Sequence, residues 1–110
     1  MAITINIYYK GDNGSAKNFS DEMIASGIVE KIRNEEGNLR YDYFYPRDDE
    51  ETVLLIDSWK DQKSLDIHHS TSMMGEIMKL REKYDLHMTV ERYVSDAEIS
   101  NGNNEKFIRK

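Results

Sequence analysis

Cysteine is absent from this chain, and proline and tryptophan occur once each. Without thiols the protein can form neither a disulfide framework nor a thiolate metal site, and it has no cysteine nucleophile. Nowhere do about 18 apolar residues follow one another, and the N-terminus lacks a basic segment followed by a long apolar run. We therefore expect neither a membrane span nor a signal peptide, and we predict a soluble cytoplasmic protein.

Positive charge is also scarce. The chain has 15 Lys and Arg against 21 Asp and Glu, a formal net charge of −6, and its acidic residues lie in loops such as 48–51. Nucleic-acid binding needs clustered cations that displace the counterions of phosphates, so we expect no nucleic-acid partner. With 110 residues, of which 38% are hydrophobic, the chain has the size of one domain with a modest core.

The spacing of apolar residues predicts four strands and two helices. Alternating, β-branched and aromatic runs predict strands over 3–9, 38–46, 52–59 and 85–94, and apolar residues three or four apart predict helices over 16–36 and 62–84. At Gly27 we expect either a kink or a close approach of the backbone to the sheet, and at Ser70–Ser72 we expect a bend. The order βαββαβ is that of a ferredoxin-like α+β fold with an antiparallel sheet and both helices on one side. We assign residues 1–94 to this domain and residues 95–110 to a polar tail that packs on the domain or on a partner subunit.

Both faces of the predicted central hairpin carry large apolar groups. Val53, Leu55 and Trp59 share one face of its second strand, while Leu54 and Ile56 share the other. The two helices of one chain can cover only one face of so small a sheet, and the second face then needs another subunit. We therefore predict a homodimer that forms through the sheet faces.

Two of the three histidines, His68 and His69, are neighbours on the second predicted helix. Adjacent helical residues point about 100° apart, so only one of them can face the sheet, and the spacing from Leu65 does not choose between them. A half-buried imidazole is suited to proton transfer near neutral pH. The simpler alternative is one hydrogen-bonded core histidine beside a solvated one. Because the three histidines lack the usual metal-ligand spacing, we expect no metal site.

Other residues near this pair are candidates for a binding pocket. Tyr41 and Tyr43 alternate along one strand, Trp59 ends the next, and Met73 follows on the second helix. They could enclose a flat substrate, although core packing is the simpler interpretation for most of them. Asn6 lies among apolar residues of the first strand, where it is either a site residue or faces solvent.

A resemblance to a known family is carried by Gly37, Leu39, Tyr41, Trp59 and His68. In the antibiotic biosynthesis monooxygenase family, a glycine ends helix one, an aromatic strand and a turn follow, and the next strand ends in a tryptophan that precedes a helical histidine. The resemblance extends over about residues 3–94 and is strongest between 35 and 73. It implies a dimeric α+β barrel, in which two ferredoxin-like sheets face each other and a pocket lies between each sheet and its own helices.

The resemblance also implies a function, which is oxidation of a small aromatic or quinol-type substrate by dioxygen without flavin, haem or metal. Removing a proton from an electron-rich aromatic gives an anion that can pass one electron to dioxygen. The resemblance favours His68 as the inward histidine, which would act as proton acceptor or orienting donor, and Asn6 as donor to the developing oxyanion. The residues expected around the substrate are Trp59, Tyr41, Tyr43, His69 and Met73.

Other functions are compatible with the same sequence. One branch of the superfamily isomerises or degrades small phosphorylated signal molecules, which would require basic residues such as Arg40 and Lys60 at the pocket mouth. A small-molecule-binding module without turnover is the non-enzymatic alternative. Haem degradation is disfavoured, because His68 and Met78 stand where that branch has tryptophan and histidine.

Overall fold

A computed structural model describes residues 1–96 and 105–110, most of which form an antiparallel sheet and its helical cover. The strands are β1 (Ile3–Lys10), β2 (Asn38–Phe44), β3 (Thr52–Trp59) and β4 (His87–Val94), and their spatial order is β2-β3-β1-β4. The helices are α1 (Ser15–Ala25), α2 (Ile28–Arg33), α3 (Gln62–His69) and α4 (Met73–Lys83). This architecture confirms the predicted ferredoxin-like α+β fold.

Each of the two predicted helices is divided in two. The first is interrupted at Gly27, whose φ of 84° lies in the left-handed region, and α2 begins at the next residue. Glycine adopts this conformation without steric penalty. Between α3 and α4, the hydroxyls of Ser70 and Thr71 donate to backbone carbonyls of α3. Such side-chain bonds compete with the backbone hydrogen bonds that would continue α3. Both interruptions lie where the sequence predicted an irregularity.

The residues of β3 alternate between two faces of the sheet. The helix face of β3 is formed by Val53, Leu55, Asp57 and Trp59, each at most 5% exposed. Leu54 and Ile56 point to the opposite face, which we call the open face, and are only half-buried. Because directly paired residues of neighbouring strands share a face, Ile5 belongs with the helix face and Asn6 with the open face.

The alternation predicted for β2 is correct only for part of the strand. Tyr41 and Tyr43 point to the helices and contact each other edge to edge, with ring centroids 5.9 Å apart. Leu39, which would share their face in a regular strand, is 59% exposed. The pairing of β2 with β3 shifts at this residue, and such a bulge changes the direction of the side chain.

Gly37 forms the junction between α2 and β2. Its φ is 87°, and a Cβ atom at this position would lie 2.2 Å from Ser64 Oγ on α3. The backbone N–H of Lys60 donates to the Gly37 carbonyl over 2.8 Å. Glycine is required here both for the left-handed conformation and for the close approach of α3. The junction thereby brings Glu35, two residues earlier, beside α3.

The C-terminal residues 105–110 include a 3-10 turn over Glu105–Phe107. Phe107 and Ile108 are 76% and 54% exposed in the single chain. Residues 97–104 of the predicted tail lie outside the described residues, so the packing of the tail on the domain or on a partner stays a prediction. Within residues 1–96 and 105–110, no helix is long and apolar enough to cross a membrane.

Candidate active site

His68 is the buried member of the histidine pair. It is 3% exposed, whereas His69 is exposed to solvent. The orientation follows from the start of α3, where the Asp61 side chain accepts a hydrogen bond of 2.8 Å from the backbone N–H of Ser64 and so caps the helix. From this start, Leu65 and His68 both turn towards the sheet. His68 is thus the inward histidine, in the orientation that the family resemblance implied.

Two side chains hold the His68 ring on different sides. Its Nδ1 lies 2.7 Å from Glu35 Oε2 at the α2–β2 junction. Its face stacks on the Trp59 indole, with centroids 4.7 Å apart and an angle of 27° between the planes. An ionised carboxylate can only accept hydrogen bonds, so the neutral imidazole carries its hydrogen on Nδ1 and keeps a lone pair on Nε2. The arrangement fixes a base in one tautomer and one orientation.

A second carboxyl group, that of Asp57, contacts the opposite end of the indole. Trp59 Nε1 donates to Asp57 Oδ1 over 2.7 Å. Burial is the main effect that raises the pKa of Asp57 to about 7. The hydrogen bond from Trp59 and the positive charge of Arg81 oppose this shift, whereas the charge of Glu35 adds to it. Asp57 therefore exchanges its proton near neutral pH. The sequence signal for it was an acidic residue on an otherwise apolar strand face.

Arg81 adds a positive charge to this cluster from α4. Its Nη2 donates to the Tyr9 hydroxyl over 2.8 Å, and its guanidinium lies 5.4 Å from the centre of that ring. Arg81 Nε is buried and has no hydrogen-bond partner among the described residues. Burial raises the pKa of Tyr9 although Arg81 opposes the shift, so the phenol stays protonated at neutral pH. A buried donor without a partner is unfavourable unless a ligand uses it.

A groove of about 380 Å³ opens at Glu35 on the protein surface. Besides Glu35 it is lined by Glu36, Lys60, Asp61, Lys63, Ser64 and Ile67. The Glu35 side chain is 16% exposed, whereas that of His68 is 4% exposed. Trp59 and Tyr41 are at most 3% exposed. A substrate can reach these two aromatic residues only when their helical cover moves.

Comparison with known proteins assigns the family. Residues 2–80, more than half of the chain, match the family model described as antibiotic biosynthesis monooxygenase. The chain belongs to this family. The protein named "Putative monooxygenase YcnE" of Bacillus subtilis (strain 168) is 31% identical over 81 residues, which cover 73% of this chain and 83% of that protein.

Two solved structures, one of which is described as a putative antibiotic biosynthesis monooxygenase, have the same fold. A Deinococcus radiodurans structure, described as "a putative antibiotic biosynthesis monooxygenase", aligns with a TM-score of 0.73 at 14% identity, over 86% of this chain and 92% of that one. SnoaB from Streptomyces nogalater, described as a cofactor-independent oxygenase, aligns with a TM-score of 0.70 at 11% identity, over 86% and 92%. At these identities the likeness shows the fold alone.

In this member of the antibiotic biosynthesis monooxygenase family, Asn6 is separated from the other predicted site residues. It lies on the open face, paired with Ile56 and Glu91, and its Oδ1 is buried without a partner among the described residues. His68 and Trp59 lie beyond the helix face, on the other side of the sheet. The structure thus does not bring Asn6 together with His68.

The remaining predicted residues lie on the helix side of the sheet. Tyr41 and Tyr43 are packed there, and burial raises the pKa of both hydroxyls. Met73 begins α4 and packs, half-buried, against the core. The ring of His69 lies 5.6 Å from that of His68 at the surface, and partial burial, followed by the proximity of His68, lowers its pKa.

The basic residues considered for phosphate binding are paired with carboxylates. Arg40 Nε lies 3.1 Å from Asp42 Oδ2, and Lys60 Nζ lies 3.3 Å from Glu36 Oε1. A phosphorylated signal molecule would have to displace these partners, so this alternative gains no support from the geometry. In the parts of the chain that the structure describes, no three His, Asp or Glu side chains are placed to hold a metal ion together.

Proposed function

We propose that this protein is a cofactor-independent monooxygenase that oxidises a small quinol-type aromatic with dioxygen. The observation that carries the proposal is the buried base His68, held between the Glu35 carboxylate and the Trp59 ring. Deprotonation is the only step for which a protein without a cofactor must supply a reactive group. The name of the Bacillus relative and the description of SnoaB support the same reaction class. A cytoplasmic location is part of this proposal.

In the proposed reaction, Nε2 of His68 accepts a proton from a substrate hydroxyl. The resulting anion is electron-rich and passes one electron to dioxygen, and the substrate radical and superoxide then combine to form a carbon–oxygen bond in a peroxide. The peroxide takes the proton back from Nε2. Its O–O bond then breaks as the outer oxygen, with that proton and the hydrogen of the same ring carbon, leaves as water, so that one oxygen atom stays in the product as a carbonyl. Arg81, with its unused Nε–H in the interior, is the proposed donor to the developing negative charge, in place of Asn6. The aromatic substrate would lie against Trp59, Tyr41, Tyr43, Met73 and His69, the residues predicted to surround it.

Dioxygen uptake tests this proposal directly. Purified protein that has been treated with a chelator is mixed with hydroquinones and hydroxynaphthalenes in an oxygen electrode, and the rate is compared with spontaneous autoxidation. Uptake above that background, with formation of an oxygenated product, is expected. A binding module or an isomerase would consume no dioxygen. Ligand binding without uptake across the panel would therefore contradict the oxygenase assignment.

We also propose that the protein is a homodimer that forms through the open face. Half-buried Leu54 and Ile56 lie at the centre of that face, and Phe44 and Tyr93 on the outer strands are 39% and 51% exposed. None of the described helices covers these residues, because all four helices pack on the helix face. Association would remove this apolar surface from water, at roughly 25 cal/mol per Å² buried.

Replacing Ile56 with aspartate should convert the dimer to a monomer, because the new carboxylate would lie in the middle of the buried interface. Sedimentation velocity at micromolar concentration measures the change. Ile24→Asp is the matched control, since Ile24 is 56% exposed on α1, away from the open face. A wild-type chain that sediments as a monomer, or an Ile56→Asp variant that stays dimeric, would contradict this assembly.

A further inference from the structure

Glu35 is the hydrogen-bonded neighbour of His68, and its side chain also reaches the surface. The Trp59 ring on the other side is fully buried, and His68 itself is almost fully buried. The Glu35 carboxylate contacts Nδ1 of His68 and also lines the groove that opens to solvent. A proton that His68 receives in the interior thus has a hydrogen-bonded route to water through this carboxylate.

We propose that Glu35 carries protons between His68 and water in the groove. When Nε2 of His68 takes a proton, the Nδ1 proton moves to Glu35 Oε2 along the 2.7 Å hydrogen bond, and His68 stays neutral. Glu35 then releases its proton to groove water and becomes a carboxylate again. The reverse transfer restores the starting pair when Nε2 gives its proton to the reduced oxygen product. Glu35 is thus a positioning residue that also exchanges the protons of His68.

Charged and titratable groups from several elements surround the pair. The groups that face it are Asp57 from β3, Lys60, Asp61 and Lys63 at the start of α3, Glu36 beside Glu35, and His69 beside His68. Lys60 is held by Glu36 at 3.3 Å and therefore does not pair with Glu35. The role of Glu35 in catalysis rests on the proposed oxygenase function, but proton exchange itself can be measured without a substrate.

The single tryptophan provides that measurement, because its ring stacks on His68 and a protonated imidazole quenches indole emission. In a stopped-flow experiment, a sudden change of pH supplies or removes protons on the solvent side of Glu35, and the change in emission reports the arrival of a proton at the His68 ring or its departure. All variants carry Asp57→Asn, so that the carboxyl bonded to Trp59 Nε1 does not contribute. Glu35→Gln keeps the shape of the side chain and its ability to accept from Nδ1, but it removes the titrating group.

Glu35→Gln should slow the emission change by at least about tenfold. This expected factor is smaller than the rate effect that a positioned proton-transfer group typically has. Glu35→Ala should also slow it, and added formate, which can enter the space left at the groove, should restore the rate in proportion to its concentration. Glu30→Gln is the matched control, because Glu30 is an exposed carboxylate on α2, close in sequence to Glu35 but not part of the groove lining. It should leave the rate unchanged.

Either of two results would overturn the proposal: a Glu35→Gln rate equal to that of the parent, or slow Glu35→Ala exchange that formate does not accelerate. If a variant loses the emission change because the stacking is disturbed, exchange of the His68 Nδ1 proton with water, measured by NMR, gives the same comparison. Since no substrate is present, failure here leaves the oxygenase proposal standing, and absence of dioxygen uptake leaves the proton route standing.

Discussion

Replacing His68 with alanine should lower kcat/KM for dioxygen uptake by about 10²–10⁴-fold, the range that a positioned general base contributes. The imidazole is the only base in the structure that is both turned inward and fixed in orientation by a carboxylate and an aromatic ring. That comparison covers residues 1–96 and 105–110. Alanine removes the base and leaves the Glu35 carboxylate without its partner. An oxygen electrode with the best quinol of the panel provides the measurement.

Two further variants separate the chemistry of His68 from its packing. His68→Gln can still donate to Glu35 but cannot take a proton, so it should be nearly as inactive as His68→Ala while being folded more stably. His69→Ala removes an exposed ring 5.6 Å away and should leave most of the activity. Turnover that survives in His68→Gln, or that is lost equally in His69→Ala, would contradict the assignment of His68 as the proton acceptor.

Most of the fold could be predicted from local patterns, because strand alternation and helix spacing reflect which face of each element is buried. The exceptions have identifiable causes. A bulge at Leu39 changed the direction of one side chain, and periodicity cannot reveal a bulge. Gly27 was recognised as a disturbance, but only the backbone shows that it starts a new helix.

The candidate site was less accessible to prediction from sequence, because its contacts join distant parts of the chain. Glu35 and His68 are 33 positions apart, and Arg81 and Tyr9 are 72 positions apart. Nothing local distinguishes Glu35, which meets the histidine, from its neighbour Glu36, which is exposed. The choice between the two adjacent histidines likewise needed either the family resemblance or the observed helix orientation.

Asp57→Asn should make the protein more stable at alkaline pH and change its pH dependence. The pKa of Asp57 is raised from 3.8 to about 7 in the folded protein, so the folded chain holds a proton that the unfolded chain has already lost. The stability that protonated Asp57 contributes to the wild-type protein is thus fully present below about pH 4 and is lost as the pH rises to about 7. Each pKa unit corresponds to about 1.4 kcal/mol, so the free energy of unfolding falls by roughly 4 kcal/mol across this window.

Asparagine is neutral at every pH and can still accept the Trp59 N–H through its Oδ1. Urea unfolding at one fixed chain concentration should therefore give similar stabilities for the two proteins near pH 4 and a variant that is more stable by roughly 3–4 kcal/mol at pH 8. Other carboxyl groups do not obscure the comparison. Hydrogen bonds lower the pKa values of Glu22, Asp49 and Asp61. The stability that these three groups contribute is therefore lost only at more acidic pH, and it is the same in both proteins. Parallel stability curves for wild type and variant would show that Asp57 is ionised at neutral pH. If the variant is more stable at pH 8 and also less active, the protein retains the ionisable Asp57 in its interior at the expense of stability, as expected of a residue that belongs to the site.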